Sequence, residues 1–337
     1  MLNFDEPRYV RIQAGAVDLA ASLEAVITKV LADGGRNLFF LGAGGAGILM
    51  QPAAQLLATR SEFGVYVHQA AEIVRTGSMH LGPQSIVVIP SLSGNTPESA
   101  AALAFCKQAG ATVLTLTGKP DSPLAQQADF NFSNDAADDT SSESFYLQSL
   151  IIALAIMKAR GEFADYQPVL AELRQLPELL VEVKRSAEDR AAHIAGLIAA
   201  DSYHIFTGAG PVWPQAYYYA MCILEEMQWI RTRPVHAADF FHGTLELLEE
   251  GVSLVLLKGE DATRPLANRV EAFAPQYTRK LTVLDSADYD LPGISAEVRG
   301  LISPVILAAV LERVSAHLEV IRDHPLTTRR YYKRVEY

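Results

Sequence analysis

The stretch SIVVIPSLSGNTPES, residues 85–99, decides how the rest of the chain is read. Ile86 to Ile89 form an apolar β-branched run of the kind that makes a buried strand, after which Ser91, Ser93 and Gly94 turn the backbone. Thr96-Pro97 follows, an N-cap residue with proline at the first helical position. A strand that ends in hydroxyls and runs straight into a helix is a cradle for phosphate, because unpaired N–H groups and the positive end of the helix dipole face the anion. The same residues also suit an ordinary strand-to-helix turn, with Ser, Gly and Asn serving turn geometry alone.

Working outward, one architecture is written twice. Strand 38–41 enters the glycine-rich loop GAGGAG at 42–47; strand 85–90 carries the Ser loop; strand 111–118 follows a helix that closes on Gly110. The second copy opens with YHIFTGAG at 203–210 and continues through strands 253–259 and 280–285. Equivalent positions 39 and 205, 86 and 253, and 113 and 282 lie 166, 167 and 169 residues apart. Strands alternating with helices predict an α/β protein of two tandem three-layer αβα domains, each with a parallel sheet and with ligands at the carboxyl ends of the strands. The expected domains are 1–165 and 166–337. Between the copies a helical stretch, roughly 142–200, carries VEVKRSAEDRAAH at 181–193, which reads as a solvated helix face.

The copies differ in chemistry. Where the first has SLSGNTP, the second has KGEDATRP, and Glu260 and Asp261 would repel a dianion, so one phosphate site per chain is expected, in the first half. Gly42, Gly44 and Gly47 match a dinucleotide spacing, but Glu62, the acid at about the right distance, precedes the next apolar stretch instead of ending it. The alternative is that small residues, Gly44 and Gly45 among them, let the backbone approach a sugar phosphate.

Composition narrows the classes. The 337 residues suit two domains, and a net charge of −11 argues against nucleic acid or an anionic membrane as partner. Cys106 and Cys222 lie in apolar helical patterns without CxxC spacing, which suits buried reduced thiols and a cytoplasmic location. No targeting segment is visible, and no apolar run reaches spanning length. No His/Cys cluster has metal-ligand spacing, so neither metal nor cofactor is expected.

The richest chemistry lies in ILEEMQWIRTRPVHAADFFHGTLELLEE, residues 223–250. A helix beginning after Pro214 carries Glu225 and Glu226 among apolar neighbours. Glu226 is a candidate for a partly buried carboxylate with a raised pKa, suited to general-base work, although paired glutamates on a helix also commonly face solvent. His242 titrates near neutrality and suits acid–base work, or is simply structural.

The Ser loop, the paired halves and a glutamate sixteen positions before a histidine in an acidic-aromatic-x-His-Gly context resemble the sugar isomerase (SIS) family, over nearly the whole chain. The resemblance implies that Ser91, Ser93 and Thr96 bind a sugar phosphate, that Glu226 moves a proton between C1 and C2, and that His242 opens the sugar ring at a neighbouring subunit's site. It thereby implies a homodimer with shared active sites. MQWI at 227–230, FFHG at 240–243 and the terminus HPLTTRRYYKRVEY at 324–337 are similar to the branch of deglycases that release glucose 6-phosphate and an amino acid from phosphorylated Amadori compounds. Departures from the family pattern are Ala46 for a serine, Ala238 and Asp239 in the histidine motif, and Thr244 for a proline. Arg330 stands where the synthase relatives carry a Schiff-base lysine; an arginine forms no imine at neutral pH, which suits a substrate bringing its own amine.

Two segments are placed to select the amino-acid part of such a substrate. Ser142 and Glu143 open the inter-domain helix, and Arg329 and Arg330 can pair with a carboxylate or anchor the C-terminus. Three functions stay open: the deglycase, an aldose–ketose or amino-sugar phosphate isomerase, and a non-enzymatic sugar-phosphate sensor.

Overall fold

The computed structural model describes residues 1–332 and 334–336; Lys333 and Tyr337 of the tail quoted above lie outside the described residues. The chain forms two compact units, one of Glu6–Glu178 and one of Leu179–Tyr337 together with Met1–Asp5. The division falls within a helix, Leu176–Ala200, beyond the expected boundary at 165.

The first unit contains a five-stranded parallel sheet of β1 (Asn37–Gly42), β2 (Gly64–Gln69), β3 (Ser85–Ser91), β4 (Thr112–Thr117) and β5 (Phe130–Ser133), in the order β2-β1-β3-β4-β5. Phe39, Leu41, Val87, Ile89 and Val113 pack on one face with Ala102, Leu103 and Cys106 of helix Pro97–Gln108. The alternate residues Leu38, Phe40, Ile86, Val88 and Leu114 are equally buried. Burial of both faces is why these strands read as continuous apolar runs.

The second unit repeats the arrangement with β6 (Tyr203–Gly208), β7 (Arg231–His236), β8 (Ser253–Lys258) and β9 (Leu281–Asp285), in the order β7-β6-β8-β9. It has no counterpart of β5 among the described residues. Ile205, Leu254 and Leu256 pack with Ala267 and Val270 of helix Arg264–Phe273.

Two sequence expectations need correction. The charged stretch 181–193 is not simply a solvated face: Lys184 is fully buried and paired with Glu312 (2.8 Å), and Glu188 binds the fully buried Arg313 (2.8 Å) and the Leu2 N–H (2.7 Å). Glu188 therefore titrates at about 2, because its bonds to Arg313 and Leu2 outweigh the upward push of burial. Those ions also explain the second correction. Helix Ala296–Ile321 is long and apolar enough to cross a membrane by length and composition, and 83% of its apolar window is buried inside the protein, where Arg313 meets Glu188. Both cysteines are free and buried, and burial pushes each thiol up to about 12.

Candidate functional site

In the first sheet the chain order reverses between β1 and β3, so the loops that leave these neighbouring parallel strands flank the crevice where α/β sheets bind ligands. The Ser loop is one of them. Ser91 is buried; its Oγ lies 3.3 Å from Thr96 Oγ1 and accepts the Gly94 N–H at 3.2 Å. Gly94 has φ +63°, and a Cβ there would stand 2.1 Å from Ser122 Oγ, so only glycine lets the loop press onto the segment after β4. The Leu124 N–H donates to the Gly94 carbonyl and the Gly118 N–H to the Leu92 carbonyl, each at 3.0 Å. Thr96 occupies the N-cap position of helix Pro97–Gln108 but makes no capping bond, its hydroxyl facing Ser91 instead. Ser93 is half-buried, and its hydroxyl has no protein partner among the described residues. Three hydroxyls thus share one rigid turn.

The glycine loop is the other. Gly42 and Gly47 touch so closely that a Cβ on Gly42 would lie 2.2 Å from Gly47 Cα, which accounts for the spacing without a nucleotide. Glu62 precedes β2, and β2 ends on Gln69, so the strand end carries no ribose-binding acid. Gly44 and Gly45 begin the short helix Gly44–Ile48; Gly44 is exposed at φ +56°, and a Cβ on it would meet nothing within 4 Å.

The second unit fills the equivalent place with its own charges. Gly210, also at φ +56°, would drive a Cβ to 2.2 Å from Thr263 Oγ1 and 2.8 Å from Asp261 Oδ1. Glu260 is held by both Nε and Nη2 of Arg299 (2.7 and 2.8 Å) and by Ser286 Oγ (2.9 Å), and its N–H donates to Ser303. Asp285 pairs with Arg264 and Lys258; its carboxyl is held below the usual range because these partners and the Ala287 N–H outweigh the effect of burial. The corner is closed by internal ion pairs.

Glu226 stands at an unusual helix ending. Helix Trp213–Tyr218 widens into a π-helical stretch, Tyr219–Glu225, then returns to one α-turn, Glu226–Gln228. Such insertions re-aim the side chains that follow them, often at functional sites. Trp229 then adopts left-handed φ +56°, ψ +29°, a conformation that costs about 1 kcal/mol or more in a residue other than glycine. Glu225 is exposed and accepts a hydrogen bond from the Thr232 hydroxyl at 2.5 Å, while Glu226 is half-buried with its Oε1 2.9 Å from Arg329 Nε. Glu226 therefore faces a guanidinium and not only the apolar neighbours that the sequence suggested.

His242 lies on the 3-10 turn Phe240–His242 after β7; its imidazole is exposed, without hydrogen bond or ion pair among the described residues. Glu143 is buried and accepts the Tyr9 hydroxyl (3.1 Å), whereas Ser142 is half-buried beside it on helix Ser141–Ala159. Arg330 is exposed, its guanidinium carbon 4.0 Å from the centre of the Trp229 ring. The structure thus joins Ser91 to Thr96 directly, and brings Arg330 of the tail onto Trp229, the residue that ends the Glu226–Gln228 turn. Sequence reasoning missed Arg329 as a partner of Glu226 and Trp229 as a strained residue; the paired arginines in the tail were the available signal. Among the described residues no group of three or more His, Cys, Asp or Glu is placed to hold a metal.

Comparison with known proteins places these features in context. Residues 31–158 match the SIS domain. Fructosamine deglycase FrlB of Bacillus subtilis (strain 168) is 34% identical over 303 residues, covering 89% of this chain and 92% of its own length. Fructoselysine 6-phosphate deglycase of Escherichia coli (strain K12) is 26% identical over 92% of this chain and 89% of its own length. Among solved structures, a phosphosugar isomerase candidate from Bacillus subtilis superposes with TM-score 0.87 at 32% identity, covering 94% of this chain and all of its own. The C-terminal domain of glucosamine-fructose-6-phosphate aminotransferase from Francisella tularensis shares the fold, with TM-score 0.79 at 17% identity over 96% of this chain and 97% of its own.

Proposed function

The chain belongs to the SIS-domain family, among the fructosamine and fructoselysine 6-phosphate deglycases, and on that premise we propose that it cleaves a 6-phosphofructosyl amino acid to glucose 6-phosphate and the free amino acid. The observation that carries the reading is the 34% identity to a fructosamine deglycase across nearly its full length. The residues named above suit the following steps.

The Ser loop takes the phosphate, with Ser91, Ser93 and Thr96 donating hydroxyls and Gly44 and Gly45 leaving room for the anion; this binding energy is spent on holding C1 and C2 in place. His242 serves a site on the partner subunit in a homodimer, protonating the ring oxygen as the sugar opens, a role that suits its exposed and unheld imidazole. Glu226 then removes a proton from C1, which bears the amino acid's nitrogen, and the electrons shift to give an enaminol. Protonation at C2 converts this to an aldimine between C1 and the nitrogen. Water adds to C1 and the carbon–nitrogen bond breaks, releasing the amine and the aldehyde form of glucose 6-phosphate. Arg330 stacks on Trp229 and contributes an exposed guanidinium for the carboxylate of the leaving amino acid, with Ser142 as a weaker contact. Glu143, already bonded to Tyr9, acts as support for that helix end.

The test is glucose 6-phosphate release from a panel of 6-phosphofructosyl amino acids, with Glu226→Gln and His242→Ala beside the wild type. Turnover of one adduct that collapses in both variants is expected. Conversion of fructose 6-phosphate or glucosamine 6-phosphate alone would assign an isomerase instead, and phosphosugar binding without any turnover would assign a sensor.

A further inference from the structure

The turn that carries Glu226 is strapped by the C-terminal tail at several points. Arg322 donates to the Gln228 carbonyl (3.2 Å), the Gln228 side chain donates to the His324 carbonyl (2.7 Å), and the His324 ring meets Trp229 edge-on with centroids 4.6 Å apart. The tail then folds back on helix Ala296–Ile321, with the Leu326 N–H donating to Glu319 (3.0 Å). Arg329 Nη1 donates to the carbonyls of Leu326 (2.7 Å) and Thr328 (3.0 Å), and its side chain is 14% exposed. One edge of the guanidinium is thus tied to the tail while Nε faces Glu226 at 2.9 Å, as an ion pair without the alignment of a hydrogen bond.

We propose that Arg329 is a positioning residue for Glu226: anchored through Nη1, it keeps the carboxylate ionised and aimed, and makes the C-terminal tail part of the proton-transfer apparatus. The inference depends on the reading of Glu226 as the base. Other charged or titratable groups on the surrounding elements are Cys222 and Glu225 on the helix, Arg231 and Arg233 on β7, Glu319 near the end of helix Ala296–Ile321, and Arg322, Asp323, His324, Arg330 and Tyr332 on the tail, the Tyr332 ring 6.0 Å from the Arg329 guanidinium carbon. Burial, Glu226 and Glu225 keep Cys222 a neutral thiol, and Glu225 is the like charge beside Glu226 in sequence. With Arg329 removed, Glu225 and partial burial both disfavour the Glu226 carboxylate. A lysine restores the charge but cannot span the tail carbonyls and the carboxylate with one planar group.

The test reads Glu226 directly. Carbon-13 labelling of glutamate side-chain carboxyls, with the Glu226 signal identified by its loss in Glu226→Gln, follows its titration without substrate. In Arg329→Ala the midpoint is expected to move to higher pH by about one pH unit or more, and in Arg329→Lys by less. The acid limb of kcat/KM on a 6-phosphofructosyl amino acid moves with it. If the alanine variant fails to fold, Arg329→Met keeps the side-chain stem and carries the same comparison. An unshifted titration in the folded variant, with turnover intact, overturns the positioning role alone. A shifted titration in a protein that turns over no adduct supports the Arg329–Glu226 coupling and removes the deglycase reading.

Discussion

Gly44 and Gly210 occupy the same place in the two sheets and share the same backbone angle, φ +56°, yet one opens on free space and the other is pressed against Thr263 and Asp261. The loops opposite them differ accordingly. Ser91, Ser93 and Thr96 bring hydroxyls and no charge, whereas the Glu260 carboxylate is clasped by Arg299 and Ser286. One copy of the duplicated corner leaves open space beside Gly44, and the other holds a resident carboxylate with its own cation. On the proposed reading, the binding copy of such a repeat is the one that holds no carboxylate of its own.

The strongest way to sharpen that contrast is to separate chemistry from phosphate binding. Glu226→Gln should lower deglycase turnover by about 10²- to 10⁴-fold and leave the affinity for glucose 6-phosphate unchanged by calorimetry. Loss of phosphate binding in this variant would break the division of labour between the halves.

Acid should distinguish the two units next. Glu188 is held at about 2 against an ordinary 4.5, so the stability it lends is present above about pH 4.5 and is lost as pH falls toward 2, about 3 kcal/mol in all. Asp285 is lowered as well, and its contribution is lost in the same direction. Amide hydrogen exchange compared at pH 7 and pH 3 should therefore show a larger loss of protection in 179–337 than in 6–178. Equal loss would contradict the resident-charge account.

Ser93→Ala should weaken glucose 6-phosphate binding by about tenfold or more, the worth of one hydrogen bond to a charged group, with little change in Tm. Glu260→Gln should do the reverse, lowering Tm while affinity stays constant. The smallest contrast lies in the glycines themselves. Both Gly44→Ala and Gly210→Ala incur the left-handed strain of about 1–2 kcal/mol, and only Gly210→Ala adds a clash, so its chemical denaturation midpoint should fall further.

Much of this fold is legible in the sequence for a simple reason. β1, β3, β4, β6 and β8 are buried almost throughout and read as apolar runs, and their spacing exposes the repeat. β2, β5 and β7 escape because they are mostly half-buried or exposed and mix polar with apolar residues; β7, RTRPVH, alternates charged and half-buried residues around a proline. The Ser loop is legible because strand, hydroxyls and helix start are contiguous. The pairing of Arg329 with Glu226 joins residues far apart in sequence, so the paired arginines of the tail signal a cation but not its partner, and the π-helical stretch and left-handed Trp229 depend on how that turn is held. Lys184 and Glu188 looked like solvent-facing residues for the same reason: their partners, Glu312 and Arg313, come from a distant segment.

The most direct measurement is the stoichiometry of glucose 6-phosphate binding by isothermal titration calorimetry, on wild type and on Ser93→Ala, whose side chain no other residue depends on. One site per chain, weakened in the variant, is the result that two unequal corners require. Two sites per chain, or one whose affinity is untouched by Ser93→Ala, would contradict the account.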